Sequence, residues 1–276
     1  LLIGDTLNKR LVQIDDLTGS NFTTLALTAR PYSPLRDAQG RIYFSTDDSM
    51  VHQIDDISGA NPLNLGSAGN RVNEFSFPTG PAQDAQGRLY FVDGGNSRIV
   101  RIDDLTGTNW TSFGTNGNGV NQFDEPSGVA LDATGRIYIA DQFNSRLVRF
   151  DDMTGANWTT LGTIGSGVNQ FRFLADVALD AGGRIYVTDR LNHRIARFDD
   201  MTGANWTTFG SMGTGANQFQ RPIGLDIGTS GQIFVADSDN SRIVRFDDMT
   251  GTNWTAFGTR GNGVNQLDHP YDVDAP

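Results

Sequence analysis

Short apolar segments alternate with polar, glycine-rich turns along the whole chain. Arg136–Asp141 (RIYIAD) and Arg146–Asp151 (RLVRFD) combine the β-branched, aromatic and leucine residues that suit a half-buried strand. Ser127–Asp132 (SGVALD) precedes them and Trp158–Gly162 (WTTLG) follows. Turn residues separate all four segments. The pattern predicts a meander of four antiparallel strands, called a to d in chain order.

The same four-strand unit is repeated along the sequence, and an Asp-Asp pair marks each copy. The pairs lie at Asp15-Asp16, Asp55-Asp56, Asp103-Asp104, Asp151-Asp152, Asp199-Asp200 and Asp247-Asp248. The successive steps are 40, 48, 48, 48 and 48 residues. One such sheet cannot bury two apolar faces alone, so the copies must stack around an axis. We therefore predict an all-β fold, a six-bladed β-propeller of four-stranded antiparallel blades.

The two ends of the chain carry the missing parts of one unit. The C-terminal segment His269–Pro276 (HPYDVDAP) reads as a strand a alone. The N-terminal Leu1–Asp16 supplies strands b and c, and Asn21–Leu25 supplies strand d. We expect one blade to be closed by one C-terminal inner strand and three N-terminal strands. Such closure removes free sheet edges and holds both termini.

The most faithfully repeated residues have structural explanations. An aspartate ends strand b and an arginine opens strand c in five units, which predicts an ion pair across one hairpin. The Asp-Asp pairs belong to D-D-x-T-G-x-N segments, which we interpret as turns rather than calcium loops, because such a hairpin offers too few oxygen ligands. Tryptophans at 110, 158, 206 and 254 are expected to pack against a neighbouring blade.

The repeats resemble a known family. The pattern P-x-G-V-A-L-D-x-x-G-R-I-Y-x-A-D-x-x-N-x-R-I, followed by a hairpin and G-x-x-G-x-G-x-x-Q-F, is similar to the NHL repeat and runs through Pro126–Phe171 and Pro222–Gln266 nearly without gaps. The resemblance implies a single NHL-type β-propeller domain over residues 1–276. The unit that starts at Pro31 departs most from the pattern.

Charge and composition limit the classes of partner. The formal net charge is −11, and the basic stripe that nucleic acid requires is missing, so we expect no nucleic-acid partner. No long apolar run is present, and we expect no membrane insertion. The chain has no cysteine and starts at Leu1, which fits a removed signal peptide or an excised domain. We favour an extracellular or periplasmic location over a cytosolic one.

Function is expected where the copies differ from one another. The differences gather in the d–a and b–c loops, which should meet at one end of the central channel. These loops carry aromatic and charged residues that suit a binding face. The predicted face contains Arg30, Tyr32, Phe77, Glu125, Phe143, Arg172, Asp176, Arg190, Arg221, His269, Tyr271 and Asp272. Of these, Phe143, Tyr32, Tyr271 and Phe77, with Phe173 beside them, are expected to be exposed.

Strand a, the innermost strand in the NHL family, carries aspartates where other copies have small residues. Asp176 and Asp272 stand at one level, and Asp226 and Asp274 stand two residues further along. We expect them near the axis, paired with Arg172, Arg221 or Arg30, or holding water or a cation. These four aspartates are the candidate calcium ligands, and we expect no other cofactor.

Three functions remain open at this stage. The first is a non-catalytic scaffold that binds a protein, peptide, glycan or small ligand. The second, implied by the resemblance, is a calcium-dependent hydrolase or a lyase with its site at the channel mouth, where His269 and Asp272 would be the catalytic residues. Zinc has little support, since His52 and His193 fall in or beside strand c. The third is a building block of a surface assembly, so self-assembly is also considered.

Overall fold

Six four-stranded antiparallel sheets surround a central channel in the computed structural model, which describes residues 1–275. Pro276, the last residue of the predicted C-terminal segment, lies outside the described residues. Strands a to d, in that order, are as follows for blades 2 to 4: blade 2 has Leu35–Arg36, Ile42–Thr46, Met50–Ile54 and Leu63–Leu65; blade 3 has Pro78–Gln83, Leu89–Asp93, Arg98–Ile102 and Thr111–Phe113; blade 4 has Gly128–Leu131, Ile137–Asp141, Arg146–Phe150 and Thr159–Leu161. Blade 5 has Leu174–Leu179, Ile185–Asp189, Arg194–Phe198 and Thr207–Phe209, and blade 6 has Leu225–Ile227, Ile233–Asp237, Arg242–Phe246 and Thr255–Phe257.

Blade 1 joins the two ends of the chain, as the sequence predicts. Its strand a is Pro270–Asp274, and strands b to d are Leu2–Asp5, Arg10–Gln13 and Thr23–Ala26. Leu2 pairs with Asp274 and Ile3 with Val273 in antiparallel register. The all-β, six-bladed prediction and its mode of closure are confirmed.

Smaller elements occupy the connections between strands. Three b–c loops form short 3-10 helices at Gly94–Asn96, Arg190–Asn192 and Ser238–Asn240. Three d–a connections contain two-residue parallel pairs, Thr115–Asn116 with Gln122–Phe123, Thr163–Ile164 with Gln170–Phe171, and Thr259–Arg260 with Gln266–Leu267. Residues 1–275 include no helix that is long and apolar enough to cross a bilayer.

The hydrophobic core lies between neighbouring blades. One cluster joins Leu147 and Leu161 of blade 4 to Val187 and Phe198 of blade 5. Trp206 packs against this cluster and stacks on Phe198, with ring centroids 5.3 Å apart and planes 7° apart. Apolar side chains on both faces of each sheet are thereby removed from water. The tryptophan at this place therefore packs at a blade interface, as expected from the sequence.

The Asp-Asp segments are self-contained turns. In blade 4, Asp152 Oδ1 accepts a hydrogen bond from the Thr154 backbone N–H at 2.8 Å, and Asp151 Oδ2 accepts one from Asn157 Nδ2 at 2.6 Å. Gly155 and Asn157 have φ angles of 79° and 55°, in the left-handed region that these residue types tolerate. The carboxylates are occupied by local bonds, which agrees with the turn interpretation.

In five of the six blades, an Asp–Arg pair at the b–c hairpin links the blade to the connection that enters it. Asp189 Oδ2 lies 2.8 Å from Arg194 Nε, and the two side chains are 0% and 13% exposed. The Arg194 guanidinium also donates to the backbone oxygens of Ser166 and Gln170. We call this arrangement the blade clamp. It occurs as Asp5–Arg10, Asp93–Arg98, Asp141–Arg146, Asp189–Arg194 and Asp237–Arg242.

Blade 2, the unit that departs most in sequence, has another arrangement at this place. Thr46 and Met50 occupy the paired positions where the other blades have the clamp aspartate and arginine. The Thr46 hydroxyl lies 2.7 Å from His52 Nε2, and His52 Nδ1 lies 2.7 Å from Asn64 Oδ1. His52 is therefore engaged by neighbouring strands within blade 2.

The blade clamp should contribute more to stability than a solvent-exposed ion pair of similar geometry. Arg194→Ala should lower stability by about 3 kcal/mol, because it leaves the buried Asp189 carboxylate without its cation. Arg184→Ala is the matched control, since Arg184 Nε lies 2.6 Å from Asp180 but its side chain is 50% exposed, and its cost should be about 1 kcal/mol or less. Thermal unfolding of both variants measures the difference. Equal losses would contradict the structural role of the clamp.

Candidate functional site

The d–a and b–c loops meet at one end of the channel. In blade 5 the backbone N–H of Leu191 donates to the oxygen of Arg172 at 3.0 Å, and in blade 4 Phe143 donates to Asp124 at 3.1 Å. Corresponding bonds occur in blades 1, 3 and 6. We call this end, formed by the d–a and b–c loops, the channel mouth. The a–b and c–d turns lie at the opposite end of each antiparallel blade.

The predicted face residues differ widely in exposure. Phe77 and Phe143 are 62% and 46% exposed. The exposure expected for Tyr32, Tyr271 and Phe173 is wrong, because each of the three is half-buried against another ring. The remaining members fall into three groups. Arg30, Glu125, Arg172 and Arg221 are exposed; Asp176, Arg190 and His269 are partly buried; Asp272 is buried.

Two aromatic pairs organise the channel mouth. The rings of Tyr32 and Tyr271 have centroids 4.8 Å apart, and those of Phe143 and Phe173 are 4.7 Å apart. A cavity of about 480 Å³, here called the mouth cavity, opens beside the tyrosine pair. It is lined by Tyr32, Ser76, Phe77, Thr79, Gly94, Gly95, Glu125, Pro126, Ser127, Gln142 and Tyr271. Its volume lies in the range of small-molecule sites in proteins.

The structure also shows a feature that the sequence did not reveal. One residue at the end of the d–a connection, one to four positions before strand a, has a left-handed backbone in five blades, with φ between 41° and 59°. These residues are Phe77, Glu125, Phe173, Arg221 and His269. Bulky residues of these types rarely adopt this conformation, which carries a conformational cost. The sequence signal was that this position carries different residue types in different copies.

The four channel aspartates, Asp176, Asp226, Asp272 and Asp274, line a second cavity of about 260 Å³ on the axis. Asp176 Oδ2 in blade 5 accepts a hydrogen bond from the Leu225 backbone N–H of blade 6 at 3.0 Å. Asp226 Oδ2 in blade 6 accepts one from Ala275 of blade 1 at 2.8 Å. These aspartates therefore connect the innermost strands of successive blades.

The expected pairing of the channel aspartates with Arg172, Arg221 or Arg30 is wrong. Arg30 instead faces Asp47, with an N–O distance of 3.9 Å, and Arg221 faces Asp239 at 3.6 Å. The physical reason for Arg30 and Arg221 is local, because each lies in a loop whose own blade supplies a carboxylate. The channel carboxylates accept backbone N–H groups instead.

A glycine of the preceding blade makes room for two of these carboxylates. A side chain at Gly224 would collide with the Asp272 carboxylate, and one at Gly128 would collide with Asp176. Each aspartate therefore fits against a glycine of the neighbouring blade, which leaves space for its side chain. The sequence contains both residues, but their contact depends on which blades are neighbours.

Burial and mutual repulsion shift the protonation of the channel aspartates. Desolvation, with a contribution from the negative charge of Asp226, raises the pKa of Asp176 to about 7. Desolvation and Asp226 likewise raise the pKa of Asp274 to about 7, while the nearby Arg36 opposes this shift. Desolvation and Asp176 raise the pKa of Asp272. The channel therefore carries less negative charge at neutral pH than four aspartates ordinarily would.

The donor set fits a metal ion poorly. Both oxygens of Asp176 and of Asp226 already accept backbone N–H groups, and Asp272 Oδ1 accepts the N–H of Val273. Over the described part of the chain, no three or more His, Cys, Asp or Glu side chains are arranged to hold a metal. The calcium site stays a prediction for which this arrangement supplies no ligand set.

The two residues named for the catalytic alternative do not contact each other. His269 Nδ1 lies 2.7 Å from Asp268 Oδ1, at the mouth. Asp272 is buried below, 9% exposed, with Oδ1 bonded to a backbone N–H. His193, the third histidine, accepts the backbone N–H of Arg221 at 3.1 Å. Each histidine therefore has its own local partner.

Comparison with known proteins identifies the repeat. Residues 123–150, 171–198 and 219–246 match the NHL repeat family. The chain therefore carries NHL repeats and folds as a six-bladed β-propeller. A search of curated proteins gave no match to this sequence.

Solved structures of the same shape have different roles. A structure described as a nidogen/laminin complex superposes with a TM-score of 0.75 at 14% identity, over 99% of this chain and 96% of that chain. Virginiamycin B lyase from Staphylococcus aureus gives a TM-score of 0.61 at 17% identity, over 89% and 74%. An auxiliary nutrient binding protein from Bacteroides thetaiotaomicron gives 0.64 at 14% identity, over 88% and 63%. At these identities the likeness shows the fold alone.

The channel carboxylates predict a pH dependence of stability. Because the pKa values of Asp176 and Asp274 rise from 3.8 to about 7 on folding, the folded protein binds more protons than the unfolded chain between these values. The melting temperature should therefore fall as pH rises from about 4 to about 7 and level off above. Turn aspartates such as Asp152 have lowered pKa values, so their titration lies below this window.

Calorimetry between pH 4.5 and 8 measures this slope. Asp274→Asn should make the decline shallower, because it removes one of the titrating groups. Asp239→Asn removes a mouth carboxylate outside the channel cavity and should leave the slope unchanged. A melting temperature that is constant or rises from pH 5 to 7 would refute the assignment.

Proposed function

We propose that this chain is a non-catalytic binding scaffold that holds a protein, peptide, glycan or small ligand at the channel mouth. The observation that carries the proposal is the row of left-handed residues before strand a. Five blades keep the same strained conformation at this place and carry four different residue types there: Phe, Glu, Phe, Arg and His. Conformational strain of this kind concentrates at ligand-binding sites, where function compensates for its cost.

The chemistry of the channel mouth supports binding. Phe77 and Phe143 expose apolar rings, and Arg172 and Arg221 are exposed in d–a connections at the same end. Aromatic side chains and arginines are the residue types enriched where proteins recognise partners. The mouth cavity adds a concave region between the loops. At the opposite end, by contrast, the carboxylates of the c–d turns accept hydrogen bonds from backbone groups of their own turns.

The solved structures give this role a precedent on the same fold. One is described as a complex of nidogen with laminin and another as a nutrient binding protein. The lyases among them show that the fold also carries catalysis in other proteins. Binding is favoured for this chain because His269 and Asp272, the residues named for a catalytic alternative, have separate partners.

Ligand selection tests the proposal. The immobilised propeller is offered to a glycan array and to a displayed random-peptide library, and the ligands that bind are measured against variants. Phe77→Ser and Phe143→Ser should weaken their binding about tenfold or more, since both changes remove exposed rings from the channel mouth. Leu63→Ser is the matched control, because Leu63 is 50% exposed but begins strand d beside the c–d turn, at the end opposite the channel mouth.

Two outcomes would argue against this function. If neither library returns a specific ligand, the chain is not a scaffold for these ligand classes. Equal losses of affinity with Leu63→Ser and Phe77→Ser would also argue against it, because they would place binding outside the channel mouth.

A further inference from the structure

Three aromatic side chains line the mouth cavity. They are Tyr271 of blade 1, Tyr32 of blade 2 and Phe77 of blade 3. In the described part of the chain, no guanidinium or ammonium group lies over any of these three rings. Five other rings each have a guanidinium carbon between 5.6 and 5.9 Å from the centroid: Phe22, Tyr43, Trp110, Trp158 and Trp254. The faces of aromatic rings attract cations, and the faces in the mouth cavity have no internal one.

Glu125 carries the only formal charge among the described residues that line the mouth cavity. None of these residues is Lys, Arg or His. Glu125 is exposed, and its carboxylate has no ion pair or hydrogen bond within residues 1–275. Glu74, the only other glutamate of the chain, accepts the backbone N–H of Arg71 at 2.9 Å. The lining therefore favours a positively charged ligand over a negatively charged one.

A missing side chain in blade 3 leaves Glu125 uncovered. In blade 4 the b–c loop carries Phe143, whose ring packs against Phe173 in the d–a connection of blade 5, with centroids 4.7 Å apart. Gly95 and Glu125 occupy the corresponding places in blades 3 and 4. Gly95 has no side chain that could cover Glu125, and both residues line the mouth cavity. The b–c loop of blade 3 thereby leaves the cavity open beside this carboxylate.

Glu125 and Phe77 occupy equivalent places in neighbouring blades. Both have a left-handed backbone, with φ angles of 41° and 49°. Side chains of these types rarely adopt this conformation, and its cost is typical of residues that hold a ligand. Two adjacent d–a connections therefore present a carboxylate and an aromatic ring to the same cavity.

The charges beyond the lining are of both signs. Burial raises the pKa of Tyr32, and Asp47 raises it further by more than Arg30 lowers it. Burial also raises the pKa of Tyr271, where Arg190 acts in the opposite direction from two of the channel aspartates. Neither arginine lines the mouth cavity. These charges therefore do not turn the mouth cavity into a site for anions.

We propose that the mouth cavity binds a small organic ammonium ion, whose positive charge lies between Glu125 and the Phe77 ring and beside the tyrosine pair. The proposal rests on the binding function proposed above and adds the chemical class of the ligand. An ammonium group suits this lining, because its charge is attracted by a carboxylate and its alkyl groups pack against aromatic faces. Calcium would require about six to eight oxygen ligands, which one carboxylate does not supply.

A matched pair of probes tests the proposal. Choline and 3,3-dimethylbutan-1-ol have nearly the same shape, but only choline is charged, because a carbon atom replaces its nitrogen in the alcohol. Titration calorimetry with the whole chain at pH 7 should show choline binding about tenfold more tightly than the alcohol. Low ionic strength is used, since salt screens the charge of an exposed carboxylate.

Two substitutions separate the contribution of the carboxylate from that of the ring. Glu125→Gln keeps the size of the side chain and removes its charge, so it should weaken choline binding about fivefold and leave the alcohol unchanged. Phe77→Leu keeps an apolar side chain and removes the aromatic face. It should weaken choline about threefold and change the affinity for the alcohol by less than about twofold.

Glu74→Gln is the matched control. It makes the same chemical change outside the mouth cavity, and the amide oxygen can still accept the N–H of Arg71. The preference for choline should stay intact in this variant. Equal affinities of choline and the alcohol for the unaltered chain would overturn the proposal. Equal effects of Glu74→Gln and Glu125→Gln would overturn it as well.

The two proposals fail in distinguishable ways. Choline and alcohol that bind equally, and are both lost with Phe77→Ser, would leave the channel mouth as a binding face and exclude ammonium recognition. If neither probe binds at millimolar concentration, the ammonium proposal is overturned, and the glycan and peptide selection decides the broader binding function. A selection without ligands, together with a preference for choline that depends on Glu125, would support the ammonium site and exclude the larger ligands.

Discussion

The buried aspartate of the blade clamp is the group on which the rest of the structure depends. In blade 5, Asp189 is fully buried and accepts hydrogen bonds from the Arg172 backbone N–H, from Asn192 Nδ2 and from Arg194 Nε. These donors belong to the d–a connection, the b–c loop and strand c. One carboxylate therefore fixes the two loops of the channel mouth to the blade and, through Arg194, to the connection from blade 4. Burial raises its pKa, while these donors lower it.

This arrangement explains how one chain combines strict repetition with variation. The clamp bonds to backbone atoms of the d–a connection, so it does not depend on which side chains that connection carries. Side chains before strand a can change from Phe to Glu, Arg or His while the backbone stays in place. The five clamps and the core between the blades hold the fold together. The variable side chains of the d–a and b–c loops determine the chemical character of the channel mouth.

The fold was predictable from the sequence because its determinants are local or periodic. The strand pattern, the turns and the Asp–Arg pair recur at a fixed step, and the two ends complement each other. The site was predictable only in outline. Variation located the channel mouth, but the partners of Asp176 and Arg221, the half-burial of Tyr271 and the orphaned Nε of Arg190 depend on contacts across a closed ring. A single repeat contains no information about those contacts.

The central claim is that the residues repeated from unit to unit determine the fold, whereas the residues that vary between units at the channel mouth determine binding. It is tested most directly by a variant in which four mouth residues take the identity found at the same place in another blade: Tyr32→Thr, Phe77→Glu, Arg190→Ser and Tyr271→Ala. The melting temperature of this variant should stay within about 5 °C of the unaltered chain. Its affinity for the ligands selected on the unaltered chain should fall about 100-fold. Unfolding of the variant, or undiminished ligand binding by it, would contradict the account.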